Sequence, residues 1–207
     1  MSGARFLERP TLLPEGREVM EGLAHHGRRP PPLLVIPPPP GEGGMDHVVG
    51  LELAWAASRA GHPTLRFNFR GVGASQGMPG DEAARCRDIE AALRVLAENA
   101  GTVAVAVAAL GSSAVAALRV ADAHPGLAGV ALVSPGRFSP ERLGRARHPL
   151  LVVVGSEEPG PRAALAAQLA ELSATLVEVA GADAGFRQGL PEVGRAVAEW
   201  LDRLASP

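Results

Sequence analysis

From Leu33 to the C-terminus, short and almost uninterrupted apolar runs alternate with amphipathic stretches. This alternation restricts the fold more than any other feature of the chain. A strand open to solvent on one side alternates polar and apolar residues, whereas a strand that is apolar throughout is covered on both faces. Leu33–Ile36, Thr64–Phe69, Val103–Ala108, Leu127–Val133, Leu150–Val154 and Thr175–Val179 read as strands of the second kind. Between them, His47–Ala60, Glu82–Glu98, Ser112–Ala123, Arg162–Leu172 and Pro191–Leu204 read as helices, with stripes such as Ile89, Leu93 and Leu96. Such an order predicts an α/β protein with a mostly parallel central sheet and helices on both faces. The 207 residues suffice for one domain, 1–207, without internal repeats or a domain-scale linker. Residues 1–14 read as an irregular N-terminal extension, and strand character appears at Val19–Ala24. In open α/β sheets ligands bind beyond the carboxyl ends of the strands, so the loops after Ile36, Phe69, Ala108, Val133, Val154 and Val179 carry the functional information.

Composition removes several chemistries. All 20 basic residues are Arg, so a Schiff-base Lys and a P-loop Lys are excluded, and the absence of Tyr excludes a tyrosine acid or nucleophile. The single Cys86 rules out an internal disulfide and a thiolate metal cluster. A net charge of −2 gives no electrostatic case for nucleic acid or an anionic membrane as partner. Asn99–Leu118 carries no charge over 20 residues, yet it is mostly Ala and Val and is broken by Gly111-Ser112-Ser113, which suits strand, turn and helix rather than a membrane span. MSGARFLERP has no apolar core of a signal peptide, so a cytoplasmic location is expected. No cofactor is expected either. Gly71-Val72-Gly73 is only G-x-G, with Gln76 where a third dinucleotide glycine would stand. The adjacent His25 and His26 point apart and have no third ligand nearby, so no metal site is expected.

The segment Thr64-Leu65-Arg66-Phe67-Asn68-Phe69-Arg70-Gly71-Val72-Gly73-Ala74-Ser75, completed by Gly77, closely resembles a segment of the α/β-hydrolase superfamily. It is similar to the short, lidless serine hydrolases of the dienelactone-hydrolase-like group. Gly43-Gly44-Met45-Asp46 resembles that family's glycine loop, Ala109–Ala121 its nucleophile elbow and following helix, Leu150–Glu158 its acid strand, and Gly181-Ala182-Asp183 its histidine loop. The resemblance covers about residues 15–205 and implies a single-domain α/β-hydrolase fold without a lid domain.

A serine hydrolase needs a nucleophile on a tight strand-to-helix turn, a histidine base, an acid and an oxyanion hole. Aligned through Ala114–Ala121, the elbow is Ala109-Leu110-Gly111-Ser112-Ser113, with Gly111 in the nucleophile column. A second register makes Ser113 the nucleophile in Gly111-Ser112-Ser113-Ala114-Val115, with Val115 where close packing favours Gly. For Ser112, helix capping is the simpler role. Ala184 stands in the histidine column, and no His occurs after His148. His47, at a loop-to-helix junction on the correct side, is the one alternative base. Glu158 stands in the acid column, and Asp183 is read as capping its own loop. Pro37–Pro40 lack N–H groups, which removes candidate oxyanion donors and leaves Gly41. The resemblance thus implies a catalytically degenerate protein, a pseudoenzyme kept for binding, scaffolding or regulation. An unorthodox hydrolase of small esters or acyl substrates, using Ser113 or Ser112 with His47 and Glu158, is the first alternative. The second is a small-molecule sensor whose pocket is lined by Gly41, Arg70, Gly111, Ser112, Ser134, Glu158 and Ala184. Arg70 could pair a ligand carboxylate there, or hold the Gly71-Val72-Gly73 loop. The partner, a protein or a small molecule, is not named by these residues.

Overall fold

The structure is a computed structural model that describes residues 7–136, 147–160, 162–172 and 174–205. Its strands are β1 (Glu8–Glu15), β2 (Glu18–His25), β3 (Leu33–Ile36), β4 (Thr64–Phe67), β5 (Ala106–Leu110), β6 (Gly129–Val133), β7 (Leu150–Gly155) and β8 (Thr175–Val179). Its helices are α1 (Val48–Arg59), α2 (Glu82–Ala100), α3 (Ala114–Ala123), α4 (Arg162–Glu171) and α5 (Leu190–Leu204). One eight-stranded sheet runs in the order β1-β2-β4-β3-β5-β6-β7-β8. The pairs β1–β2 and β2–β4 are antiparallel and all the others parallel.

The continuous apolar runs are explained by two cores, one on each face of the sheet. Leu34, Ile36, Val107, Ala109, Val130 and Leu132 point to the α2, α3 and α4 side. Leu33, Val35, Ala106, Ala108, Leu110, Ala131 and Val133 point to the α1 and α5 side. Successive side chains of a strand alternate faces, so β3, β5 and β6 must be apolar at every position. Trp200 of α5, 3% exposed, closes the second core.

The N-terminal reading needs correction. Residues 8–14, expected to be irregular, belong to β1, which pairs with β2 from Glu8↔His25 to Glu15↔Glu18. Pro10 and Pro14 obscure the strand pattern. Proline is tolerated at a sheet edge because a missing N–H there breaks no ladder bond, and β1 is an edge. The third parallel strand lies later than expected, at Ala106–Leu110, and Val103 is 77% exposed. That shift carries the strand directly into the turn at Gly111. The stretch between Val133 and Leu150, read as irregular, lies partly outside the described residues. No helix among the described residues is long and apolar enough to cross a membrane.

Candidate functional site

The turn after β5 is the first element of the site. Gly111–Ser113 form one 3₁₀ turn that runs straight into α3. Gly111 has φ +57°, a left-handed conformation that costs an L-residue energy and that glycine adopts freely. A Cβ built on Gly111 would have only the Glu42 Oε2 within 4 Å, at 3.9 Å. The backbone therefore presents position 111 outward, with room for a side chain.

The two neighbouring serines are placed differently. Ser113 is fully buried, and its hydroxyl donates to the Pro37 carbonyl at 2.7 Å. It ties the elbow to the Pro37–Pro40 run. Ser112 is exposed. The capping role expected for Ser112 is not observed, because the 3₁₀ turn continues into the helix and α3 begins without a side-chain cap.

A cavity of about 190 Å³ opens over Gly111. Pro38, Glu42, His47, Ser134, Ala184 and Phe186 line it together with Gly111. Of the residues expected around a pocket, Gly111, Ser134 and Ala184 meet there, and His47 joins them. Gly41, Arg70, Ser112 and Glu158 lie outside the lining. Glu42 and Phe186 were missed by sequence reasoning. Glu42 lies in the Gly41-Glu42-Gly43-Gly44 loop that the sequence marks as a turn, and that was its only signal. Phe186, 1% exposed at φ +50°, turns inward from the loop after β8.

His47 is the residue immediately before α1, and its Nδ1 is buried without a hydrogen-bond partner. Burial holds its pKa below the ordinary histidine value, so the neutral imidazole is favoured. Glu158 is held elsewhere: its Oε2 accepts from the Ser134 hydroxyl at 2.9 Å and from the Gly155 N–H at 3.4 Å. Ser134 itself has φ +45°. Asp183 plays the loop role expected, its Oδ1 accepting from the Gly185 and Arg187 N–H groups at 3.1 and 3.2 Å. Arg70 is committed to structure. Its Nε donates to Asp88 Oδ1 at 2.8 Å, and its Nη1 lies 3.2 Å from Glu18 Oε2. Its hydrogen bond to Asp88 raises its pKa further, so it stays a cation.

Two further histidines brace the fold. Fully buried His62 spans the Pro31 carbonyl, at 3.0 Å, and Asp202, at 3.1 Å. His148 spans the Leu127 and Ala121 carbonyls, at 3.1 and 3.0 Å. Among the described residues, no group of three or more His, Cys, Asp or Glu could hold a metal ion.

No family model and no curated protein matches the sequence. Solved structures do. An alpha-beta serine hydrolase homologue from Coxiella burnetii is 25% identical with a TM-score of 0.79, covering 93% of this chain and 97% of that one. A serine hydrolase without a lid from Xanthomonas campestris is 21% identical, with a TM-score of 0.79 over 97% of this chain and 96% of that one. A dienelactone hydrolase from Anabaena variabilis is 17% identical, with a TM-score of 0.78 over 96% and 98%. With its sheet order and elbow turn, the chain is a single-domain α/β-hydrolase fold, its mostly parallel sheet flanked by helices and without a lid domain among the described residues.

Proposed function

We propose that this protein is a catalytically degenerate α/β-hydrolase, a pseudoenzyme that serves as a binding or scaffolding protein. The observation that carries the reading is Gly111 at φ +57°, at the point where this fold holds its nucleophile. The strained backbone of an elbow is present and the hydroxyl is not. Ala184 stands beside the same cavity where the base would be, and the carboxylate of Glu158 is engaged by Ser134 and Gly155. Removing triad members together leaves only the residual catalysis of binding and the oxyanion hole, and Pro37–Pro40 offer that hole no N–H.

A hydrolase built on Ser113 is disfavoured by its burial and by its bond to Pro37. A sensor for drug-sized molecules is disfavoured by size, because pockets for such ligands run from about 300 to 1,000 Å³ and this one has about 190 Å³. The reading is tested by treating the purified chain with a fluorophosphonate probe and assaying short p-nitrophenyl esters. No stoichiometric labelling and no turnover above background are expected. Labelling at Ser112 or Ser113 that is lost on substitution to Ala would overturn the reading.

A further inference from the structure

The two edges of the sheet are finished in opposite ways. At one edge, β1 carries Pro10 and Pro14, four residues apart and so facing the same way, which blunts it against further pairing. At the other, β8 is Thr-Leu-Val-Glu-Val, with no proline or glycine, and among the described residues no strand covers its outer side. A groove of about 850 Å³ runs between β8 and α5.

Along the groove, α5 shows Glu192, Arg195, Glu199 and Arg203 on one stripe, all exposed. Among the described residues none of these four side chains forms a hydrogen bond or an ion pair. Their order is negative, positive, negative, positive. Read in the opposite direction it becomes positive, negative, positive, negative. A second α5 laid antiparallel therefore sets Glu192 against Arg203 and Arg195 against Glu199, and sets the same pairs again by symmetry. Both pairs place the two-fold axis near residue 197.

The strand agrees with this axis. Gly189, just before α5, packs against Val179 at the end of β8, so the helix starts level with the end of the strand. At about 1.5 Å per residue the centre of the charge stripe lies about 11 Å along the helix. At about 3.3 Å per residue Val177, the centre of β8, lies about 7 Å from Val179. One axis thus passes close to both centres, and it pairs β8 with its own copy antiparallel through Val177.

We infer that the chain forms a two-fold dimer through β8 and α5, with two sheets joined into one and the four α5 charges neutralised across the interface. Such an interface is isologous and closed, so it ends at the dimer. Sedimentation equilibrium of the full chain at low and high salt tests it. The expected result is a dimer that weakens with salt. Arg195→Glu puts like charges opposite each other and should weaken the dimer by about tenfold or more, while Arg195→Glu combined with Glu199→Arg should restore it. Both positions are exposed, so melting temperatures confirm that the variants fold. A monomer at about 100 μM, or a dimer indifferent to the single and double reversals, would overturn the inference.

Discussion

Around Arg66, Asn68 and Arg70 almost every polar atom is spoken for, whereas around Gly111 the polar groups are missing, turned aside or left unbonded. Arg66 is bidentate to Glu8, at 2.9 and 2.7 Å, and also reaches the Met45 carbonyl and Asp46. Asn68 accepts from the Met45 N–H and donates to Glu21, both at 2.7 Å. Gly73 sits at φ +60° against Glu21 Oε1 and Asn68 Nδ2, a backbone conformation that favours glycine. The elbow side has Gly111, Ala184 and an unbonded His47 Nδ1. The segment that most resembles the hydrolase family is thus the one whose residues hold the loops in place. On the proposed reading, the elbow and the loop after β8 carry Gly111 and Ala184, which offer neither nucleophile nor base, while the scaffold around them is kept.

The first way to break the comparison is at Asp88, buried completely beneath Arg70. Asp88→Ala leaves the Arg70 cation short of its main partner in a largely desolvated site. A loss of about 3 kcal/mol in unfolding free energy is expected from urea denaturation, at the low end for breaking a buried ion pair because Glu18 still faces Arg70. A loss below about 1 kcal/mol would make this side no more structural than a surface ion pair.

The second way is to rebuild the elbow. Gly111→Ser puts an L-residue at φ +57° and should cost about 1–2 kcal/mol, read from the same denaturation curves. Space is not the obstacle, since the nearest atom to the new Cβ is 3.9 Å away. Combined with Ala184→His, the substitution should raise p-nitrophenyl ester hydrolysis by about a hundredfold over the parent chain. No gain from the folded double variant would mean that the elbow and the loop after β8 do not converge as a triad requires.

The contrast between the regions also decides what was legible beforehand. The α/β alternation was legible because strands covered on both faces are apolar throughout, as Leu33–Ile36 and Ala106–Leu110 are. β1 was not, because Pro10 and Pro14 break the pattern and an edge strand tolerates them. The order of the site loops could be read, but the choice between Gly111 and Ser113 depends on backbone dihedrals, and only coordinates separate φ +57° from φ −63°. No sequence feature singles out Asp88, since its burial depends on Arg70 arriving from the end of β4. Glu42 has only its glycine-rich loop as a signal, because a loop's path over a distant turn has no local signature.

The smallest effect concerns pH, and it sharpens the comparison most directly. His47 has an ordinary value of 6.5, which burial lowers in the folded chain. The unfolded chain then binds more protons than the folded one between the two values. Stability from this group is complete above about pH 6.5 and is lost as pH falls through the folded value. His25 shifts in the same direction, chiefly by burial and further by His26, with Glu8 opposing. The urea midpoint should therefore fall between about pH 7.5 and about pH 5.5, and His47→Gln should reduce the fall without abolishing it. His25→Gln removes the contribution of the end of β2 instead. An unchanged fall in His47→Gln with a full loss of it in His25→Gln would place the acid sensitivity on the side of the molecule where polar groups are best satisfied. In that case the elbow would no longer be the less satisfied of the two regions.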